Sequence, residues 1–263
     1  MDLGLKDRVA LVAASSQGLG KAVALGLAKE GAKLAMCSRN ATALMAATEE
    51  IGAATDVEIL ATAVDVTREE EVRRFAARVT ERFGKIDICV ANAGGPPAKA
   101  FDATTMDDWR RAVDLNLMST LFLAHAVLPG MRERRWGRLI TITSLTVKQP
   151  IDGLILSNSV RAAVVGLVKS LSNEYAADNV LVNNVCPGYT ATDRLGELSA
   201  TLAKSAGVDP SEIEKRWTTQ IPLRRLARPE EFADAVVFLC SERASYITGQ
   251  SLSVDGGFAK GLL

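Results

Sequence analysis

The stretch Arg8-Val9-Ala10-Leu11-Val12-Ala13-Ala14-Ser15-Ser16-Gln17-Gly18-Leu19-Gly20 decides the fold. Its first half is an apolar run, as expected of a strand buried on both faces. Its second half is a small, polar turn with two glycines. From Gly18 to Glu30 the pattern becomes helical, with Ala22, Leu25 and Ala28 on one stripe and Gly31 as the stop. A strand that runs through such a turn into a helix gathers backbone N–H groups at a helix N-terminus, where a diphosphate is stabilised. The residues placed for that contact are Ala14, Ser16, Gln17, Gly18, Leu19 and Gly20. A tight strand–helix turn with no ligand is the plainer alternative.

The same alternation continues outward. Apolar runs at 32–38, 57–65, 86–91, 138–144, 181–187 and 250–255 read as strands. Between them, Asn40 caps a helix to about Gly52, and Thr67 to Phe83 is a helix whose Thr67-x-x-Glu70 start resembles a capping box. A long helix runs from about Thr105 to Arg134, with Pro129 as a kink or end. Leu156 to Ala177 and Pro229 to Ser241 are helices, and 190–222 is polar with short helical patches. Strand–helix alternation with nearly unbroken apolar strands predicts an α/β chain: a doubly wound parallel sheet of about seven strands with helices on both faces. Residues 1–263 hold this one domain, with no linker, repeat or low-complexity tract.

Composition narrows the function. Hydrophobic residues make up 48% of the chain, enough for a core. Lys+Arg and Asp+Glu are both 31, so the chain is neutral and unsuited to general nucleic-acid or anionic-membrane binding. No run reaches the roughly 18 apolar residues of a membrane span. The start, MDLGLKDRVALV, lacks the pattern of a signal peptide, so a cytoplasmic location is expected. Cys37, Cys89, Cys186 and Cys240 are scattered and read as buried free thiols. With His125 as the only histidine, no metal site is expected.

Ligands of such sheets sit at the carboxyl ends of the strands. The second strand ends in Cys37-Ser38-Arg39-Asn40, with an arginine and no acid. An acid there selects NAD through the ribose hydroxyl, whereas an Arg accommodates a 2′-phosphate, so the cofactor expected is NADP(H). Asp65-Val66 and Asn92-Ala93-Gly94-Gly95 follow the third and fourth strands on the same edge, where an adenine and a ribose would lie.

With Gly18-Leu19-Gly20, Asp65-Val66, Asn92-Ala93-Gly94, Asn116-Leu117, Ile142-Thr143-Ser144, Pro187-Gly188-x-x-x-Thr192 and Val254-Asp255-Gly256-Gly257 in order, the chain resembles the short-chain dehydrogenase/reductases, in particular the 3-oxoacyl-carrier-protein reductase branch. The resemblance covers nearly the whole chain. It implies a Rossmann-type fold, hydride transfer between nicotinamide and a small carbonyl or alcohol substrate, and cofactor contacts from Pro187, Gly188, Thr190 and Thr192. It also implies a substrate lid over 190–222 and a homo-oligomer, tetramer or dimer, built on the helices near 105–134 and 156–177.

Two departures stand out. The family writes T-G where this chain has Ala13-Ala14, and an Ala at the first glycine position calls for a negative φ. The family also pairs a Ser, here Ser144, with Tyr-x-x-x-Lys, and at that register this chain has Ser157 and Arg161. Asn116 matches the family's remaining catalytic position. A tyrosine can be tuned to give up a proton, whereas a serine can only donate a hydrogen bond and Arg161 cannot shuttle a proton. Ser144, Ser157 and Asn116 would polarise a carbonyl oxygen, and Arg161 would hold ribose hydroxyls. Lys148, on the loop after Ser144, and Tyr189, after Pro187-Gly188, are candidate proton donors beside water. A solvated lysine and a packing tyrosine are their plainer readings. His125, nine residues beyond Asn116 on a helix of about 3.6 residues per turn, faces away from the site and goes to packing or a subunit interface. Three readings follow: an oxidoreductase with an altered proton donor, a catalytically inactive NADP-binding sensor or assembly protein, and an elimination or isomerisation on the same fold.

Overall fold

Seven parallel strands form one sheet in the computed structural model, which describes residues 1–262. In chain order they are β1 (Val9–Ala13), β2 (Lys33–Ser38), β3 (Ile59–Ala63), β4 (Ile88–Ala91), β5 (Gly137–Ile142), β6 (Val180–Pro187) and β7 (Ser251–Val254). Their spatial order, β3-β2-β1-β4-β5-β6-β7, reverses direction between β1 and β4. That reversal opens a crevice at the carboxyl edge. The expected α/β doubly wound, Rossmann-type architecture is therefore observed.

The alternation within β1 shows why both faces are covered. Ala10 and Val12 pack with Leu27, Leu44 and Phe232 from α1 (Gly18–Lys29), α2 (Ala41–Ala54) and α9 (Pro229–Cys240). Val9, Leu11 and Ala13 pack with Phe75, Leu123 and Val164 from α3 (Glu69–Phe83), α5 (Ser119–Glu133) and α6 (Ile155–Tyr175). All four cysteines are buried free thiols, and burial pushes those of Cys37 and Cys240 up to about 12.

Several local expectations change. Thr67 and Glu70 form no capping box: α3 begins at Glu69 after Arg68. The Thr67 amide and hydroxyl both donate to Asp65 Oδ1 (3.0 and 2.8 Å), and Glu71 reaches back to the Asp65 amide at 2.8 Å. A capping box does form at Thr105 and Asp108, where α4 (Met106–Val113) starts. The long helix is not uniform, because a π-turn (Asp114–Met118) separates α4 from α5. Pro129 lies inside α5 and does not end it. The stretch 106–133 is apolar and long enough to cross a bilayer by composition, yet Leu123, Ala124, Val127, Leu128 and Met131 are packed into the core. His125 is exposed on α5, so it does not serve core packing. The polar segment 190–222 carries two full helices, α7 (Asp193–Ala206) and α8 (Pro210–Gln220).

The largest correction is at the turn after β1. Ala14 has φ +48°, not the negative φ its side chain prefers. A left-handed alanine costs about 1–2 kcal/mol. The turn keeps this conformation because α1 closes tightly on it: a Cβ on Gly20 would stand 2.3 Å from the Ala14 carbonyl oxygen, and Asn92 Nδ2 donates to that same oxygen at 3.3 Å. Ala14→Gly removes the strain at the cost of a looser unfolded chain, and we expect a net gain of about 1 kcal/mol, or about 2–4 °C in Tm. Thermal unfolding checks this, and an unchanged or lower Tm would contradict the strain.

Candidate active site

The crevice at the carboxyl edge is a cleft of ≈ 530 Å³. One end is built from the β1–α1 turn. Ala14, Ser16, Gln17, Gly18, Leu19 and Gly20 all line it. No side chain caps the α1 N-terminus and no acid lies in its first turn, so its amides remain free for an anion. Gly18 takes φ +55°, which turns the chain into the helix. Ser38, Arg39 and Asn40 line the same end. The Ser16 and Ser38 hydroxyls share a hydrogen bond of 2.9 Å, joining the first turn to the end of β2. Asn40 also caps α2, accepting from the Ala43 amide at 3.0 Å.

The middle of the cleft is floored by Asn92, Ala93, Gly94 and Gly95, with Val64 and Val66 at its side. Asp65 does not line it, being held by Thr67. A Cβ on Gly94 would meet nothing within 4 Å, so the chain is open to a ligand there. Across the cleft, Pro187 and Thr192 contribute from the end of β6 and the start of α7, whereas Gly188 and Thr190 do not line it. Gly188 packs on Asp255, and Thr190 is buried beside Ala227. An open helix N-terminus and a glycine floor together fit the diphosphate of a nicotinamide dinucleotide.

At the other end Ser144, Ser157 and Arg161 all line the cleft, as the resemblance implied. Arg161 is buried, and its guanidinium lies along the strand ends. Nη1 donates to the carbonyls of Ile142 (3.0 Å) and Thr143 (2.9 Å), and Nη2 to Gly94 at 3.4 Å. Burial holds its pKa down at about 10, and it still carries its charge at neutral pH. Asn116 sits in the π-turn just below the cleft. The Ser119 and Thr120 hydroxyls donate to the Leu115 and Asn116 carbonyls at 2.6 and 2.9 Å, taking up acceptors that a π-turn leaves free. Asn116 Nδ2 donates to Gly94 at 2.9 Å, while its buried Oδ1 has no protein partner and suits a water or ligand donor.

The two expected proton donors are placed elsewhere. Lys148 does not line the cleft. Tyr189 stacks on Trp217 (centroids 4.8 Å apart), meets Phe258 edge-on at 5.3 Å, and is pushed up to about 12 by burial. This aromatic group lines a second cavity of ≈ 570 Å³ beside α7 and α8, with Ile151, Leu202 and Ile213. Leu154 and Leu198 line both cavities, so the two share a wall.

Two residues escaped the sequence reading. Thr146 is buried between the serines: its hydroxyl lies 3.1 Å from Ser157 Oγ and its amide donates to Ser144 Oγ at 3.2 Å. Arg194, on α7, reaches across the cleft to the Pro96 carbonyl at 3.1 Å and pairs with Glu197 at 3.3 Å. Proximity to Ser144 and Thr192 in the chain was the available signal for each.

Comparison with known proteins agrees with this geometry. The family described as enoyl-(acyl carrier protein) reductase matches residues 13–259. The 3-oxoacyl-[acyl-carrier-protein] reductase FabG of Aquifex aeolicus is 34% identical over 98% of this chain and 99% of its own. The 7alpha-hydroxysteroid dehydrogenase of Escherichia coli is 34% identical over 97% and 96%. The L-sorbose reductase of Gluconobacter frateurii, solved with NADPH and L-sorbose, superposes with a TM-score of 0.94 at 35% identity over the full length of both chains. With its parallel sheet, its glycine turn and its cleft in place, the chain belongs to the short-chain dehydrogenase/reductase family and is an oxidoreductase.

Proposed function

We propose that the protein is an NADP(H)-dependent oxidoreductase acting on a small carbonyl or alcohol compound. The observation that carries the cofactor choice is the end of β2, where Ser38, Arg39 and Asn40 line the cleft beside Ser16 and no carboxylate stands among them. Arg39 supplies a planar cation for a 2′-phosphate. The α1 N-terminus and the Gly18-Leu19-Gly20 turn hold the diphosphate, and Asn92, Ala93 and Gly94 floor the ribose and nicotinamide. When bound, the reduced nicotinamide supplies a hydride. Ser144 and Ser157 donate hydrogen bonds to the substrate oxygen, and Arg161 keeps a positive charge behind the floor. The residues lining the cleft include no histidine, cysteine, tyrosine or lysine, and Asp193 is the one carboxylic acid among them. In this reading water is the proton source, and a rate level across neutral pH follows.

The same lack of a tyrosine or lysine in the cleft supports a second reading, an NADP-binding sensor or assembly protein without turnover. Buried thiols without a disulfide among the described residues suit a reducing cytoplasm. Apolar side chains left exposed, Phe101, Met106, Leu223, Phe238, Tyr246 and Leu252, support a homo-oligomer.

Three measurements test this. Fluorescence titration should show NADPH bound at least about tenfold more tightly than NADH, and Arg39→Asp should reverse the order. Equal affinity would remove the Arg39 assignment. With a carbonyl substrate, kcat should stay level between about pH 6 and 9, and Ser144→Ala with Arg161→Ala should lower it about 100-fold. A steep neutral ionisation would point to a protein acid, and binding without any hydride transfer to the sensor reading. Light scattering should give a multiple of the 28.0 kDa chain mass, and a monomer would refute assembly.

A further inference from the structure

Two guanidinium groups converge at the far end of the cleft. Arg161 projects from α6 and Arg194 from α7, and both line the cleft. A Cβ on Gly95 would stand 3.9 Å from Arg161 Nη2, 3.8 Å from Arg194 Nη2 and 3.9 Å from Arg194 Nε. Gly95 has no side chain, so the point that both groups face is left open. Like charges this close repel each other, and the Arg194 charge adds to burial in lowering the Arg161 pKa.

Neither arginine is firmly neutralised. Arg161 Nη1 is taken up by the Ile142 and Thr143 carbonyls, whereas Nη2 has only the long contact to Gly94 and keeps a second hydrogen. No carboxylate pairs with Arg161 among the described residues. Arg194 pairs with Glu197, but the two side chains are 52% and 66% exposed, so water screens the pair. Asp193 also lines the cleft, yet it is exposed and forms no ion pair with either arginine. Two facing cations without a buried counter-charge are unfavourable alone and favourable around an anion. The fork of a guanidinium matches a carboxylate, with N–H···O bonds of about 2.7–2.9 Å.

The surroundings narrow the ligand. Ser157 lies one turn before Arg161 on the same face of α6, about 6 Å along the helix, so the anion would sit beside the oxygen that the serines hold. Leu154 and Leu198 lead from the cleft to the second cavity, whose walls include Tyr189, Trp217 and Phe258. Those rings suit an apolar body. We infer that the substrate is a 2-oxo acid with an apolar body, its carboxylate held between Arg161 and Arg194. The inference rests on the NADP(H) reading above for its hydride. The hydride adds to the carbonyl carbon and the carbonyl π pair moves to oxygen. The resulting alkoxide takes a proton from water, giving the 2-hydroxy acid and the oxidised cofactor. Until that proton arrives the compound carries two negative charges, which two guanidinium groups match.

Calorimetry without cofactor tests the site, with 2-hydroxy-4-phenylbutyrate and its methyl ester as probes. The acid should bind at least about tenfold more tightly than the ester. Arg194→Gln changes an exposed side chain, and Gly95→Ala places a methyl group at the open point in ordinary van der Waals contact. Each should weaken the acid about 30-fold and leave the ester unchanged. Equal binding of acid and ester, or no effect of the two variants, would overturn the carboxylate site. The cofactor's diphosphate is the other source of an anion. If Arg194→Gln weakens NADPH about 30-fold in a fluorescence titration and spares the acid, the arginines hold the cofactor and the inference is wrong. In turnover with NADPH, 2-oxo-4-phenylbutyrate should show a KM at least about tenfold below that of its ethyl ester. Arg194→Gln should raise that KM about 30-fold and change kcat less than about threefold. Preference for the ester, or an acid that binds but is never reduced while NADPH is bound, would overturn the substrate assignment. Failure to bind NADPH would remove the cofactor reading and the reduction with it, and calorimetry would still decide the carboxylate site.

Discussion

A single guanidinium sets the terms for the rest of the site. Arg161 projects from α6 into the place where the ends of β4 and β5 meet the cleft, and three backbone carbonyls receive it. Burying a cation without a carboxylate is costly, and hydrogen bonds to charged groups, worth about 1.5–3 kcal/mol each, offset that cost only while the strand ends stay where they are. The arrangement therefore fixes the floor of the cleft as much as it charges it. It also fixes Asn116, which shares the Gly94 carbonyl with Arg161 and is turned toward it by the π-turn.

This explains how the far end of the cleft stays ordered. Thr146, Ser144 and Ser157 form one hydroxyl cluster, and Arg161 locks the carbonyls beneath it. Arg194 bridges from α7 to Pro96 above. The two ends of the cleft are thus built differently. The first relies on backbone geometry at a glycine turn, which tolerates even a left-handed alanine. The second relies on side chains that hold one another.

Much of this could be read in the linear sequence because parallel strands buried on both faces are continuous apolar runs, and because ligands of such sheets meet the chain just after each strand. The β1–α1 turn and Arg39 followed from that rule, whereas the Ser144–Ser157–Arg161 set followed from the resemblance to the family. What escaped it depends on competition between local bonds or on distant partners. Thr67 could have capped α3, but Asp65 claims its amide and hydroxyl. The π-turn adds one residue to a helical repeat, too small a change for a hydrophobic stripe to register. Tyr189 follows β6 closely, yet its ring stacks on Trp217, a residue further along the chain on α8. Ala14 keeps its positive φ because Gly20 and Asn92 close on its carbonyl, a contact between segments that no local pattern encodes.

The stack of Tyr189 on Trp217 has an optical consequence. Trp217 lies on α8, is nearly enclosed, and borders the second cavity. Trp109 and Trp136 lie outside both cavities, the latter beneath the Arg8 guanidinium. Indole emission responds to the polarity of its surroundings, so filling of that cavity becomes visible as a change of colour in the native protein's fluorescence.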